Sequence, residues 1–252
     1  MSRPLEDQNI LVTGASGGIG AAIVERLADE GARPIIHFGR DKGAAETLLT
    51  RIGGNGHLVQ ADLGNTDGPF ALWRDAVQAA GPIHGLVNNA GIRTEIAIDA
   101  SPEDWKAAWQ KEFQINLFAA ADLCKEAIRH FRGAGGGRIV NIASRAAQRG
   151  YVAEALPYGA TKAALVNLTK SIARSFAKDG VIAVAIAPGW VRTEMAEDFI
   201  ARHGKRAAVA DNPTGELAEP AEVAELVAFV FRPSQVSLNG ATLDVNGGSY
   251  IR

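Results

Sequence analysis

The sequence predicts a single α/β domain built around a parallel sheet. Two observations carry that expectation. Short β-branched and apolar runs alternate with longer helical patterns almost from end to end, and the first of these runs turns into its helix through glycines. A third observation removes the alternatives. No Pro- or Ser-rich linker, repeat or low-complexity tract divides the 252 residues, and 47% hydrophobic with 21% charged content suits one sizeable core. Strands are expected at about 9–13, 34–38, 57–61, 84–88, 138–143, 181–187 and 241–245, with helices between them.

Composition narrows the function. A net charge of -2 offers no general attraction to nucleic acid or to an anionic membrane, which leaves a small molecule as the default substrate. The only cysteine, Cys124, excludes an intrachain disulfide and a cysteine-based zinc site and suits a reducing cytoplasm. His37, His57, His84, His130 and His203 are scattered without metal-ligand spacing, so no metal is expected. The start of the chain has no apolar signal core, and no later run is long and uncharged enough to span a bilayer, which predicts a soluble, cytoplasmic protein.

The first strand, Asn9 to Thr13, runs into Gly14-Ala15-Ser16-Gly17-Gly18-Ile19-Gly20 and then a helical run. A tight strand-to-helix turn made of glycines lets backbone N–H groups and a helix N-terminus approach a pyrophosphate. A plain tight turn is the alternative, and the glycine spacing differs from GxGxxG. The second strand ends in Gly39-Arg40. In a dinucleotide fold that tip faces the adenosine ribose, where a carboxylate selects a free 2′-hydroxyl. Here Arg40, with Ser16 as a second contact, suits a 2′-phosphate and predicts NADP(H) over NAD(H). After the third strand, Asp62-Leu63 places a carboxylate at a strand end, for an adenine amino group or equally for a helix cap.

The fourth strand leads into Asn88-Asn89-Ala90-Gly91, suited to close cofactor approach and cross-sheet hydrogen bonds, or to turn chemistry. A long helix from about Pro102 to His130 carries Asn116 among apolar residues, and a broken helix turn is one way to satisfy that amide. Gly133 to Gly137 reads as a loop before the fifth strand, which ends at Ser144, either a cap or a donor to a substrate carbonyl. If Tyr158-Gly159-Ala160-Thr161-Lys162 is helical, Tyr158 and Lys162 are neighbours on one face. Two charges ~4 Å apart at an effective dielectric of about 20 interact by roughly 4 kcal/mol, about three pKa units, enough to bring a phenol towards neutrality. Pro188-Gly189 follows the sixth strand and opens a polar segment at about 189–217, expected to act as a substrate lid.

Taken in register, the glycine turn, Asn88-Asn89-Ala90-Gly91, Asn116, Ser144, Tyr158 with Lys162, and Pro188-Gly189 resemble the short-chain dehydrogenase/reductase family, near its branch of 3-oxoacyl-carrier-protein reductases. The resemblance covers essentially the whole chain. It implies a Rossmann-like, doubly wound parallel sheet of about seven strands in a single domain, assembled as a homotetramer through the two long helices and the C-terminal segment. It also implies a catalytic tetrad. Tyr158 would transfer the proton, Lys162 would lower its pKa and hold the nicotinamide ribose, Ser144 would polarise the carbonyl, and Asn116 would hold a relaying water. Cofactor contacts are expected from Gly14, Ser16, Gly18, Ile19, Gly20, Arg40, Asp62, Leu63, Asn89, Ala90, Gly91, Pro188, Gly189 and Thr193, besides Tyr158 and Lys162. The reaction implied is hydride transfer between NADP(H) and a carbonyl or secondary alcohol. The alternatives are an NAD-dependent sugar or alcohol dehydrogenase and a cofactor-binding regulator without turnover.

The substrate itself is not written in these motifs. Arg129, Arg132 and Arg138 could form a basic rim for an acidic acyl-carrier protein. Arg93, Arg145, Arg149 and Arg192 follow strand ends and could bind a small carboxylate or phosphate, unless Glu95, Glu154 and Glu194 neutralise them.

Overall fold

The computed structural model describes residues 3–252. Seven strands form one parallel sheet: β1 (Asn9–Val12), β2 (Arg33–Phe38), β3 (His57–Gln60), β4 (Gly85–Asn88), β5 (Gly137–Ile142), β6 (Val181–Pro188) and β7 (Thr242–Val245). Their order is β3-β2-β1-β4-β5-β6-β7, each expected strand lying within a residue or two of its place. The register sets Val12 opposite both Ile36 and Val87, and Val87 opposite Val140. Strands β1, β4 and β6 are buried along their whole length, which is why they read as unbroken apolar runs rather than alternating ones.

Successive residues serve opposite faces. Ile10, Val12 and Ile36 pack into one core with α1 (Gly18–Asp29) and α10 (Pro220–Phe231). Leu11 and Ile35 pack into the other with α3 (Gly68–Ala80), α5 (Ala119–Ala134) and α7 (Leu156–Phe176). The remaining helices are α2 (Lys42–Arg51), α4 (Pro102–Phe113), the single turn α6 (Ala146–Arg149), α8 (Glu194–His203) and α9 (Lys205–Val209). Between β6 and α10, the chain leaves the sheet at Val191 and returns at Ala218, where Arg192 N–H donates to Ala218 O and Ala218 N–H to Trp190 O. The excursion holds α8 and α9. No described helix is long and apolar enough to cross a membrane.

One local expectation takes a definite form and another changes. The long helix is α4 and α5 joined by a π turn at Gln114–Phe118, with buried Asn116 inside it. The loop expected at Gly133 to Gly137 shrinks to two residues. Helix α5 continues to Ala134, Gly135 caps it at φ 86 in the left-handed region, and Gly137 already belongs to β5. Gly133 tolerates the helix because Phe131, one turn before the end, anchors it in the core at 0% exposure.

Buried polar groups tie the layers together. Asn88 Nδ2 donates to Asn141 Oδ1 at 2.8 Å, and Asn141 Nδ2 donates to Thr169 Oγ1 at 2.8 Å, linking β4, β5 and α7. His37 does the same for β1 to β3. Its Nδ1 accepts from Gly14 N–H at 3.0 Å, so Nε2 carries the proton and faces Ala61 O at 3.2 Å. That arrangement needs a neutral ring, and burial lowers its pKa from 6.5 to about 4. Between those values the unfolded chain takes up a proton that the native one refuses. Stability from this group is complete above pH 6.5 and is lost as the pH falls towards 4, by about 3 kcal/mol at the limit. Urea melts of wild type and His37→Gln at pH 7 and pH 4.5 test this. The wild type should lose more stability across the interval than the variant, and parallel losses would refute the assignment.

Candidate active site

A cleft of about 620 Å³ opens at the C-terminal ends of the strands. It runs from Arg40 and Asp62 at one end, past the glycine turn, to Tyr158 and Trp190 at the other. Parallel strands direct their C-terminal ends and the following helix N-termini to one side, and the sheet reverses its order between β1 and β4.

The glycine turn is fixed from behind. Asn89 Nδ2 donates to Thr13 O at 2.9 Å and Gly14 O at 3.0 Å, while Thr13 Oγ1 accepts from the backbone N–H groups of Asn89 and Ala90, both at 3.0 Å. Gly14 has φ 60, and a Cβ there would stand 2.9 Å from Ala90 Cα. Only glycine fits. Gly20 lies against Gly14 O at the base of the turn, outside the cleft lining, so its service is close packing. Gly14, Gly17 and Gly18 line the cleft without side chains, Ile19 follows them, and α1 starts at Gly18 with its N-terminus towards the cleft. This glycine wall fits the pyrophosphate of a dinucleotide. Across it stand Ala90, Gly91, Pro188, Gly189 and Thr193.

At the far end Arg40 is exposed, and its guanidinium makes no hydrogen bond or ion pair among the described residues. The neighbouring Asp41 does not neutralise it, because its Oδ1 accepts from Ala44 N–H at 2.8 Å and caps α2. Asp62 and Leu63 both line this end. Asp62 is no helix cap: its Oδ1 accepts from Gly64 N–H at 2.9 Å in a local turn, and α3 begins after Asp67. Ser16, expected beside Arg40, is not among the lining residues.

At the other end α7 carries Tyr158 and Lys162, and the end of β5 carries Ser144. Pro157 starts the helix without wasting an N–H, so the phenol projects from the first turn. The Ser144 hydroxyl lies close enough to Tyr158 to favour its ionised form, and it accepts from Ala146 N–H at 3.1 Å. Lys162, 4% exposed, donates from Nζ to Ile142 O at 2.8 Å and lies 5.8 Å from the Tyr158 ring centroid. The two are neighbours as expected, but the expected direction of the phenol's titration is overturned. Burial pushes Tyr158 up to about 12, outweighing the nearby Ser144 hydroxyl, and burial pushes Lys162 down to about 8. Desolvation wins because Nζ is directed at a backbone carbonyl rather than at the phenol oxygen.

Asn116 stands behind this group, outside the cleft lining. Its Oδ1 accepts from Ile92 N–H at 2.8 Å and its Nδ2 donates to Ile92 O at 2.9 Å, so the π turn clamps the chain leaving β4. Only Gly91 separates it from Lys162: a Cβ there would lie 3.3 Å from Asn116 Oδ1 and 3.4 Å from Lys162 Nζ. Glu112, fully buried, accepts from Thr94 N–H at 3.0 Å, and burial raises its carboxyl.

The arginines divide. Arg129 pairs with Glu126, Arg132 with Asp179, and Arg138 donates to the carbonyls of Val230, Pro233 and Gln235. Arg132 and Arg138 flank the start of β5, the opposite end of the sheet from the cleft, so they form no rim around it. Of the cleft-side arginines, Arg93 pairs with Glu95, Arg149 with Asp211 and Arg192 with Glu219. Glu154 and Glu194 take no part in these pairs, contrary to expectation, and Arg145 has no acidic partner. Residues that the sequence did not single out also face the cleft: His37, Tyr151 at 5.5 Å from Tyr158 between ring centroids, Met195 and Trp190. His37 alone carried a signal, a lone imidazole inside an apolar strand.

Comparison with known proteins agrees with this geometry. A family model for short chain dehydrogenases matches residues 8–203. The 3-oxoacyl-(acyl-carrier-protein) reductase of Vibrio cholerae is 34% identical over 247 residues, covering 98% of this chain and 99% of the relative. The cis-4-hydroxycyclohexanecarboxylate dehydrogenase of Sinomonas cyclohexanicum is 35% identical over 251 residues, 98% of each. Among solved structures, an actinorhodin polyketide ketoreductase determined with NADPH superposes with a TM-score of 0.88 at 30% identity, covering 96% of this chain and 97% of its own. A Serratia marcescens short-chain dehydrogenase/reductase gives 0.89 at 31%, covering 98% and 99%. The chain belongs to the short-chain dehydrogenase family and is an NAD(P)-dependent dehydrogenase/reductase.

Proposed function

We propose that the protein is an NADP(H)-dependent reductase of a small ketone, running in reverse as a secondary-alcohol dehydrogenase, with Tyr158 as its acid and base. The observation that carries this reading is the meeting of the Tyr158 and Ser144 hydroxyls at one end of the cleft with the Lys162 ammonium behind them. When bound, the nicotinamide supplies or takes the hydride, which no side chain here can do. The chain does the rest. Tyr158, held near 12, stays protonated across the neutral range and gives its proton to the oxygen of a carbonyl being reduced. Ser144 donates a second hydrogen bond to that oxygen and fixes its place. Lys162 stands behind the phenol, 5.8 Å from its ring centroid, as the donor that would hold the nicotinamide ribose. Asn116, one glycine away, holds the backbone of Ile92 and with it the wall on which Lys162 rests, next to the place where a water would relay protons.

Arg40 supports the phosphate-bearing cofactor: an unpaired guanidinium at the strand tip, with the adjacent Asp41 engaged as a helix cap and Asp62 in its own turn. The NADPH of the superposed ketoreductase points the same way. The excursion at 189–217 is read as a substrate lid, since Trp190 and Met195 from it line the cleft. A cytoplasmic homotetramer completes the reading. Phe118 on the long helical pair and Ile251 at the C-terminal end are 50% and 82% exposed, apolar surface that such an assembly would cover. An acyl-carrier protein draws no support from Arg132 and Arg138, which lie away from the cleft.

Oxidation of NADPH with a panel of ketones tests the activity, and Tyr158→Phe tests the assignment. The variant should lose turnover by about 10²- to 10⁴-fold while binding NADPH nearly as wild type does by fluorescence titration. Comparable turnover would defeat the role given to Tyr158. For the cofactor, the ratio of kcat/KM with NADPH to that with NADH should favour NADPH and fall about tenfold or more in Arg40→Ser. A wild type that prefers NADH would refute the NADP(H) reading.

A further inference from the structure

Arg145 is the one arginine at the catalytic end of the cleft that is buried without an acidic partner among the described residues. It directly follows Ser144, is 7% exposed, and lines the cleft. Its backbone is fully employed: the N–H donates to Pro188 O at 2.9 Å, and the carbonyl accepts from Gln148 and Arg149. Its guanidinium makes no hydrogen bond and no ion pair among the described residues. The charged and titratable groups facing it are Arg149, Asp211 and Tyr151. Asp211 is held by Arg149 at 2.7 Å, so it offers Arg145 only a distant attraction.

A second guanidinium lies across Tyr151. Arg93 stands 5.4 Å over that ring and 5.8 Å over Phe199, its side chain 6% exposed and its Nε buried without a partner. Its carboxylate, Glu95, is shared with Arg202. The surroundings of Tyr151, and so of Tyr158, therefore carry more positive than negative charge. A cation taken out of water without a partner costs folding free energy, and a protein keeps one where a ligand completes it. The planar fork of an arginine matches a carboxylate, which it binds through two parallel hydrogen bonds.

We infer that Arg145 binds a carboxylate carried by the substrate, so that the ketone reduced next to Ser144 and Tyr158 is an oxo acid and its product a hydroxy acid. This rests on the function proposed above and names its substrate class. The binding energy is electrostatic and directional, and it orients the ketone by its far end while leaving the carbonyl to Ser144 and Tyr158. A relative at 35% identity is named for a cyclic hydroxy acid, which is the same pairing of a secondary alcohol with a carboxylate. The reaction that feeds this site must deliver, or that which drains it must accept, an acid bearing a free oxo or hydroxyl group.

The test compares 4-oxocyclohexanecarboxylate with its methyl ester, equal in ring and carbonyl and different in charge. The wild type should prefer the acid. In Arg145→Met the ratio of kcat/KM for acid over ester should fall about 10- to 100-fold, chiefly through KM for the acid, and Arg145→Lys should restore part of it. Because the methionine also removes a buried unpaired charge, its melting temperature should equal or exceed that of the wild type. Equal losses on both substrates, or a raised KM for NADPH with the ratio intact, would overturn the inference. So would a fall in melting temperature with an unchanged ratio, which would make Arg145 a support of the fold. A wild type that reduces the ester and ignores the acid sinks this inference alone, whereas one that reduces no ketone of the panel removes the function beneath it.

Discussion

The reversal of strand order between β1 and β4 is the constraint from which the site follows. Crossovers from β1 to β2 and β3 go one way, and those from β4 to β7 go the other, so the connections leaving β1 and β4 diverge and leave a crevice at their C-terminal ends. Two backbones must still approach closely across it, and Gly14 against Ala90 is that contact. Asn89 and Thr13 hold the approach with hydrogen bonds, and His37 supports it from β2. The helices then aim their N-terminal ends into the crevice without further instruction.

Charge is the second organising quantity. The chain buries Lys162, Glu112 and Arg145 around the catalytic end, at a cost that packing alone would not offset. Lys162 is held by the Ile142 carbonyl and Glu112 by the Thr94 amide, so each rests on backbone that the sheet and the loop after β4 already fix. The Asn116 clamp on Ile92 secures that loop from the π turn. Positions near the reacting atoms are thus set by main chain rather than by mobile side chains, which keeps the groups where proton transfer needs them.

Most of this was legible in the sequence, for identifiable reasons. The seven strands were visible because strands buried on both faces leave unbroken apolar runs, and the glycine turn because backbone approach admits no other residue. The break at Asn116 was visible because a buried amide demands partners. What escaped depends on distance in space. The titration of Tyr158 could not be read from its spacing to Lys162, since Nζ reaches a carbonyl twenty positions earlier in the chain. Neither could the partners of the arginines: Asp211 reaches Arg149 from the excursion after β6 and Glu219 reaches Arg192 from the start of α10, while the nearer Glu154 and Glu194 do not. Helix α5 outran its expected end because Phe131 anchors it, overriding the local preference of Gly133.

The single cysteine gives the fold a chemical property of its own. Cys124 is 1% exposed on α5, touches the amides of Asn88 and Asn141, and burial pushes its thiol up to about 12. At neutral pH it is not a thiolate, and the thiolate is the form that oxidants, alkylating reagents and disulfides attack. The native molecule therefore presents no thiol handle to peroxide or to electrophiles. Oxidative control through a thiol is thereby closed to the folded chain, since its only cysteine sulfur is sealed on the buried face of α5.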